Sequence, residues 1–299
     1  MQIPIETVET SAFEMEYFRF GQGSRTAVIL PGLSVTSVMG SRESIAKQYA
    51  AWNSAFTTYL FDRRKDLPET YSVYDMARDT ADAMRVLGLS DVCLFGASQG
   101  GMIALVLTIE NPDLVGRLAL GSTSAATVLP EETVSGASEK TESGASERSG
   151  LFKSSPSGKK ASGFGSLTEW VRLAEEGDAG ALYLAFGKKL YPEVLFEKNK
   201  EVLRGLGNFV TKEDLRRFIT IAGGTEGFDV RDRLAEITCP VLVIGSEDDR
   251  VIPPESSREL AAGLVHAASC ELHMYDGCGH AAFDTAPDYQ ERLLRFFTA

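Results

Sequence analysis

Gly96-Ala97-Ser98-Gln99-Gly100 is preceded by the apolar run Val92-Cys93-Leu94-Phe95 and followed by Met102-Ile103-Ala104-Leu105-Val106-Leu107. Strand, Gly-x-Ser-x-Gly turn and helix together form a nucleophile elbow. In such an elbow a serine sits on a tight, strained turn with its hydroxyl pushed out beyond the carboxyl end of the strand. Glycine is required on both sides, because side chains there would collide with the neighbouring strand and helix. Taken alone, the same string also reads as a glycine-rich turn that packs tightly or binds an anion. The choice between the two depends on whether a base and an acid follow at the ends of later strands.

The chain has three histidines, His266, His273 and His280. His280 ends the run Asp276-Gly277-Cys278-Gly279-His280, which lies between a strand-like segment, Cys270 to Tyr275, and a final helix, roughly Pro287 to Phe297. A histidine in a glycine-rich loop at that place can swing over the carboxyl ends of the strands. His273 falls inside a strand pattern and His266 on a helix surface, so both read as structural. The acid candidates, Asp248 and Asp249, follow the strand-like run Pro240 to Gly245. A carboxylate there can reach the second ring nitrogen of the histidine, fix its tautomer and stabilise the imidazolium. With Glu247 beside them, these two also read as a solvated acidic loop. The resulting order is Ser98, Asp249, His280.

That order, the elbow and the strand context resemble the α/β-hydrolase superfamily over nearly the whole chain. The resemblance is carried by Leu30-Pro31-Gly32-Leu33, the elbow around Ser98, Asp249-x-x-x-Pro253 and Gly277-x-Gly279-His280. It implies a mostly parallel central sheet flanked by helices, with an inserted helical cap. It also implies an oxyanion hole formed by the backbone N–H groups of Leu33 and Gln99. The family often has His-Gly where this chain has Pro31-Gly32. A second departure concerns the acid. The family position counted from Gly245 is Asp248, and counted back from Pro253 it is Asp249. The proline count is preferred, because Pro253 anchors the local turn, and Asp248 stays as the alternative.

Of 299 residues, 43% are hydrophobic, enough for one large α/β domain with an embedded cap. A net charge of −12 argues against nucleic acid or an anionic membrane as a partner. The first residues lack the basic and apolar regions of a signal peptide, and no apolar run approaches the ~20 residues of a membrane span. Cys93 and Cys239 fall in or beside buried strands, which suits reduced thiols and a cytoplasmic location. Cys278, close to His280, reads as a small loop residue, since nothing places a base to activate it. No zinc motif and no early Gly-x-Gly-x-x-Gly is present, so neither a metal nor a cofactor is expected. The expected partner is a small-molecule substrate; the oligomeric state is not legible.

Along the chain, strands are expected near 2–8 and 13–20, at Thr26–Leu30 and Phe56–Phe61, and at Leu114–Leu120. A helix is expected from Val73 to Leu87, with Ser72 and Asp75 as a cap. Asp62-Arg63-Arg64-Lys65-Asp66 reads as a charged, solvated loop. Alternating strands and helices predict a parallel sheet with its site at the carboxyl ends of the strands. Residues 1–121 and 235–299 are assigned to this core and 122–234 to an inserted cap region. Within the latter, 131–163 is a low-complexity segment with the near-repeat Ser135–Lys140 and Ser143–Arg148, expected to be flexible. Four helices are expected over about 166–224, the first capped by Ser166 and Glu169. Trp170, Tyr183, Phe186 and Phe196 are candidates to line a pocket or simply to form the core of the cap.

These readings predict a serine hydrolase acting on a small carboxylic ester, lactone or thioester through an acyl-enzyme. The same three residues serve aminopeptidases and C–C bond hydrolases, and some members of the fold bind a small molecule and signal. An aminopeptidase should offer carboxylates to a free amine, for which the candidates are Glu169, Glu175 and Glu176.

Overall fold

The structure is a computed structural model that describes residues 2–127 and 165–299. Eight strands form one sheet: β1 (Glu6–Glu9), β2 (Glu14–Phe20), β3 (Arg25–Leu30), β4 (Phe56–Arg64), β5 (Val92–Ala97), β6 (Val115–Gly121), β7 (Val241–Ser246) and β8 (Cys270–Tyr275). Their order is β1-β2-β4-β3-β5-β6-β7-β8, with β2 antiparallel to both of its neighbours, β1 and β4, and the other pairings parallel. Strands β5 and β7 are buried along their whole length, as expected of central parallel strands covered on both faces.

Helices cover both faces. On one side pack α2 (Val73–Val86), α3 (Gln99–Glu110) and α8 (Pro254–Gly263), with Met76, Leu105 and Leu260 in their shared core. On the other lie α1 (Arg42–Gln48), α9 (Ala282–Thr285) and α10 (Tyr289–Thr298). There Phe297 is fully buried against Trp52 and Phe56, an aromatic burial that contributes about 1.5–3 kcal/mol. Helix α2 begins at a Ser72–Asp75 capping box. Helix α3 is buried on nearly all sides, which explains its lack of an amphipathic pattern. Short α1 carries no strong periodic signal and was not anticipated.

Between β6 and β7 the chain builds α4 (Gly165–Glu175), α5 (Ala179–Leu190), α6 (Glu193–Leu206) and α7 (Lys212–Gly223), around a separate cluster that includes Trp170, Leu182 and Phe218. The 131–163 segment lies outside the described residues. Helix α4 starts at Gly165, so Ser166 lies inside it and does not cap it. Among the described residues no helix is long and apolar enough to cross a membrane.

Strand β4 runs three residues beyond Phe61, and Asp62 and Arg63 are buried, not solvated. Asp62 pairs with Arg217, and Arg63 hydrogen-bonds to Pro31 and Gln99, distant partners that a local reading of a charged run cannot see. His266 sits exposed in the turn after α8, its Nδ1 hydrogen-bonded to the Ala235 carbonyl, instead of on a helix.

Candidate active site

Ser98 follows β5 and precedes α3, with φ 53° and ψ −123°, a left-handed conformation that a non-glycine residue rarely adopts. The turn closes because its glycines admit backbone at short range. A Cβ on Gly100 would stand 2.0 Å from the Leu30 carbonyl oxygen, and one on Gly96 would stand 2.4 Å from that of Gly100. The turn is tied on both sides: the Ser98 N–H donates to the Gly121 carbonyl at 2.8 Å, and Thr123 Oγ1 donates to the Ser98 carbonyl at 2.7 Å.

The loops after β7 and β8 bring the acid and the histidine to this hydroxyl. His280 Nε2 lies 3.0 Å from Ser98 Oγ, and its Nδ1 lies 2.8 Å from Asp249 Oδ2. The side chains of His280 and Asp249 are each 3% exposed. Asp249 Oδ1 accepts from the N–H groups of Val251 and Ile252 at 2.8 and 2.9 Å. An ionised carboxylate can only accept, so Nδ1 carries the imidazole proton and Nε2 is left as the acceptor facing the serine hydroxyl. This arrangement can take a proton from Ser98 Oγ and return it to a leaving group.

Asp248 has a different task. Its carboxylate accepts from Ser246 Oγ at 2.7 Å and from the N–H groups of Cys278 and Gly279 at 3.1 Å, clamping the His280 loop to the end of β7. Desolvation works to raise its carboxyl, but these hydrogen bonds outweigh it and hold the group below its ordinary value. Gly279, at φ 66°, lets the loop turn under Leu190, whose carbonyl accepts from the Ala281 N–H at 3.0 Å. Burial pushes the Cys278 thiol up, away from thiolate. His273 packs edge-on against Tyr275 in β8, with desolvation lowering its basicity, and takes no part in the site.

Leu33 and Gln99 both line the small space beside Ser98 and His280, a cavity of about 60 Å³. Gln99 opens α3, so its N–H has no acceptor within the helix and is available to a ligand. Gly32 packs onto Ser98, with a notional Cβ 3.1 Å from the serine Cβ.

A residue distant in sequence from both holds these two loops in register. Buried Arg63 donates through Nη2 to the Pro31 carbonyl at 2.9 Å and to Gln99 Oε1 at 3.1 Å, joining the loop before Leu33 to the first residue of α3. Burial makes its guanidinium less basic than an exposed one, a penalty that Asp62 partly offsets. Gln99 Nε2 then reaches the Ile221 carbonyl on α7 at 2.7 Å, and Arg217 of α7 pairs with Asp62 at 2.9 Å. The helical layer is therefore tied to the strand ends beside the serine. Pro31-Gly32 and Asp62-Arg63 were each visible in the sequence, but their contact is not a local pattern.

Trp170 and Phe186 line the small cavity, together with Met102, Leu190 and Phe283. Tyr183 and Phe186 line a larger cavity of about 400 Å³, whereas Phe196 lines neither and is buried within the helical layer. Glu169, Glu175 and Glu176 are exposed on or just after α4 and line neither cavity.

A family model described as the alpha/beta hydrolase fold matches residues 50–287. The candidate carbamate hydrolase RutD of Rhizobium rhizogenes is 26% identical over 288 residues, covering 92% of this chain and 94% of the relative. A 2-hydroxy-6-oxononadienedioate/2-hydroxy-6-oxononatrienedioate hydrolase 1 of Dechloromonas aromatica is 27% identical over 231 residues, 74% of this chain and 67% of that protein. The solved enol-lactonase of Burkholderia xenovorans superposes with a TM-score of 0.74 at 19% identity, covering 98% of this chain and all of the other, a likeness of fold.

Proposed function

The chain belongs to the alpha/beta hydrolase fold family and is a hydrolase of that fold; from that premise we propose that it is a serine hydrolase whose nucleophile is Ser98, acting on a small carboxylic ester, lactone or thioester. The observation that carries the reading is the hydrogen-bond chain Ser98–His280–Asp249 at the wall of an apolar cavity.

In this mechanism Ser98 Oγ attacks the carbonyl carbon as His280 Nε2 takes its proton. Asp249 holds the imidazole in the required tautomer and stabilises the imidazolium. The N–H groups of Leu33 and Gln99 receive the oxyanion, and loss of one such donor typically costs about 10²–10³ in rate. His280 returns the proton to the departing alcohol or thiol, leaving Ser98 acylated. Water, deprotonated by His280, then releases the acid and frees the serine. Helices α4 to α7 act as a cap that shapes the pocket over the serine. A reducing compartment, the cytoplasm, fits the four unpaired cysteines.

The names of the relatives raise two further substrate types. A carbamate carbonyl would undergo the same addition at Ser98. A dicarboxylate of the dienedioate kind is disfavoured, because among the described residues lining the two cavities the one cationic candidate is His280 itself.

The test is fluorophosphonate labelling of wild type and Ser98→Ala, alongside p-nitrophenyl esters of increasing chain length. Serine-dependent labelling with ester turnover is expected, and the chain-length profile sizes the pocket. Undiminished hydrolysis by folded Ser98→Ala, or no labelling and no turnover by folded wild type, overturns the assignment; the latter favours a binding or signalling role.

A further inference from the structure

The larger cavity shares Phe186, Leu190 and Phe283 with the small one at Ser98, so the two spaces have a common wall. Among the described residues that line it, one side chain is charged: Asp284, on α9, four residues beyond His280. None is Lys, Arg or His.

The Asp284 carboxylate receives neutral donors, Gln48 Nε2 at 3.1 Å and the Tyr191 hydroxyl at 3.1 Å. Partial desolvation by the surrounding protein pushes the carboxyl above its ordinary value, and these two hydrogen bonds bring it only part of the way back. The side chain nonetheless remains reachable by solvent. Exposed at the cavity and held only by neutral donors, this carboxylate is free to pair with a cation brought to it. The lining of the larger cavity is largely apolar, with Leu60, Phe95, Leu203 and Leu206 in it, and suits an alkyl or aryl spacer.

We propose that Asp284 reads a protonated amine or other cationic nitrogen on the substrate, with the apolar walls holding the spacer that connects it to the carbonyl at Ser98. This rests on the assignment of Ser98 as nucleophile and adds the class of substrate. The amine expected of an aminopeptidase-like substrate would then meet Asp284 in the core domain, not the glutamates of α4.

The test compares esters of matched size and shape. On the acyl side these are the p-nitrophenyl esters of ε-aminocaproate and heptanoate; on the alcohol side, aminobutyl acetate and pentyl acetate. In one of the two series wild type is expected to prefer the ammonium ester in kcat/KM by about tenfold to hundredfold, the range of one charged hydrogen bond. In Asp284→Asn that ratio should fall toward one. In Asp284→Lys it should invert in favour of the adipate half-ester, and the asparagine variant serves alone if the lysine does not fold. Ser98-dependent turnover with no ammonium preference in either series, or a preference that survives in Asp284→Asn, overturns the role of Asp284 alone. Absence of both labelling and neutral-ester turnover overturns the serine assignment, and this inference with it.

Discussion

At the floor of the cavity, Ser98, Asp249 and His280 hang on backbone that is constrained residue by residue. Ser98 has a positive φ, Gly100 leaves no room for a Cβ, and Asp249 and Asp248 each accept two backbone N–H groups. Across the same space, α4 and α5 present Trp170, Phe186 and Leu190. These make apolar contacts and could be exchanged for other large side chains without breaking a turn. The floor is thus specified by geometry and the roof by volume. Substitutions in the floor should therefore change kcat, and those in the roof should change selectivity and KM.

The largest expected effect is at the centre of the floor. Ser98→Ala should lower kcat by about 10⁴-fold or more while the thermal transition stays in place. Asp249→Asn comes next, at about 10³–10⁴-fold, because an amide can present its N–H to Nδ1 and impose the wrong tautomer. Asp248→Asn should cost no more than about tenfold in kcat, acting through the loop that carries His280. Equal losses from the two would erase the distinction between acid and clamp. The clamp has its own pH signature. Asp248 is held below its ordinary value of 3.8, so the stability it adds is complete above that pH and is lost as pH falls through its lowered native value. In thermal melts, the advantage of wild type over Asp248→Asn should narrow at the acid end and stay constant near neutrality.

Arg63→Met addresses the joint between the two regions. It leaves the Pro31 carbonyl and Gln99 Oε1 without their shared donor, and should lower kcat by about 10–100-fold as the Leu33 and Gln99 N–H groups lose register. KM for a short ester should be unchanged. A change in KM with constant kcat would make Arg63 part of the roof. Trp170→Phe, in the roof itself, should be mildest. The indole Nε1 is buried with no hydrogen-bond partner among the described residues, and its ring lines the space beside Ser98. If that N–H serves a polar substrate group, KM rises about threefold with kcat unchanged; a fall in kcat alone would count against the floor-and-roof division.

The same division explains what could be read from the sequence. A floor made of required backbone conformations leaves glycines and prolines at fixed spacing, and Gly96, Gly100, Gly279 and Pro253 were enough to point to residues 98, 249 and 280. The count from Pro253 selected Asp249, the carboxylate that the structure sets against His280. Asp62 and Arg63 were read as solvated because their partners, Arg217, Ser37, Pro31 and Gln99, come from distant parts of the chain. Asp284 could not be singled out among 42 acidic residues, since what sets it apart is a cavity assembled from α1, α5 and α9. The roof helices were recognisable as helices, but no spacing rule says which aromatic faces the serine and which, like Phe196, faces its neighbours.

The hydrogen bond between His280 and Ser98 joins residues 182 apart in sequence, and Asp249 also belongs to the later segment. On the ribosome, the elbow therefore emerges long before Asp249 and His280. If Ser98 is activated as proposed, a nascent chain that has folded β3, β5 and α3 carries an inert hydroxyl until β7 and β8 join the sheet. On the proposed mechanism, the order of the chain alone therefore delays activation of the serine until the sheet is complete.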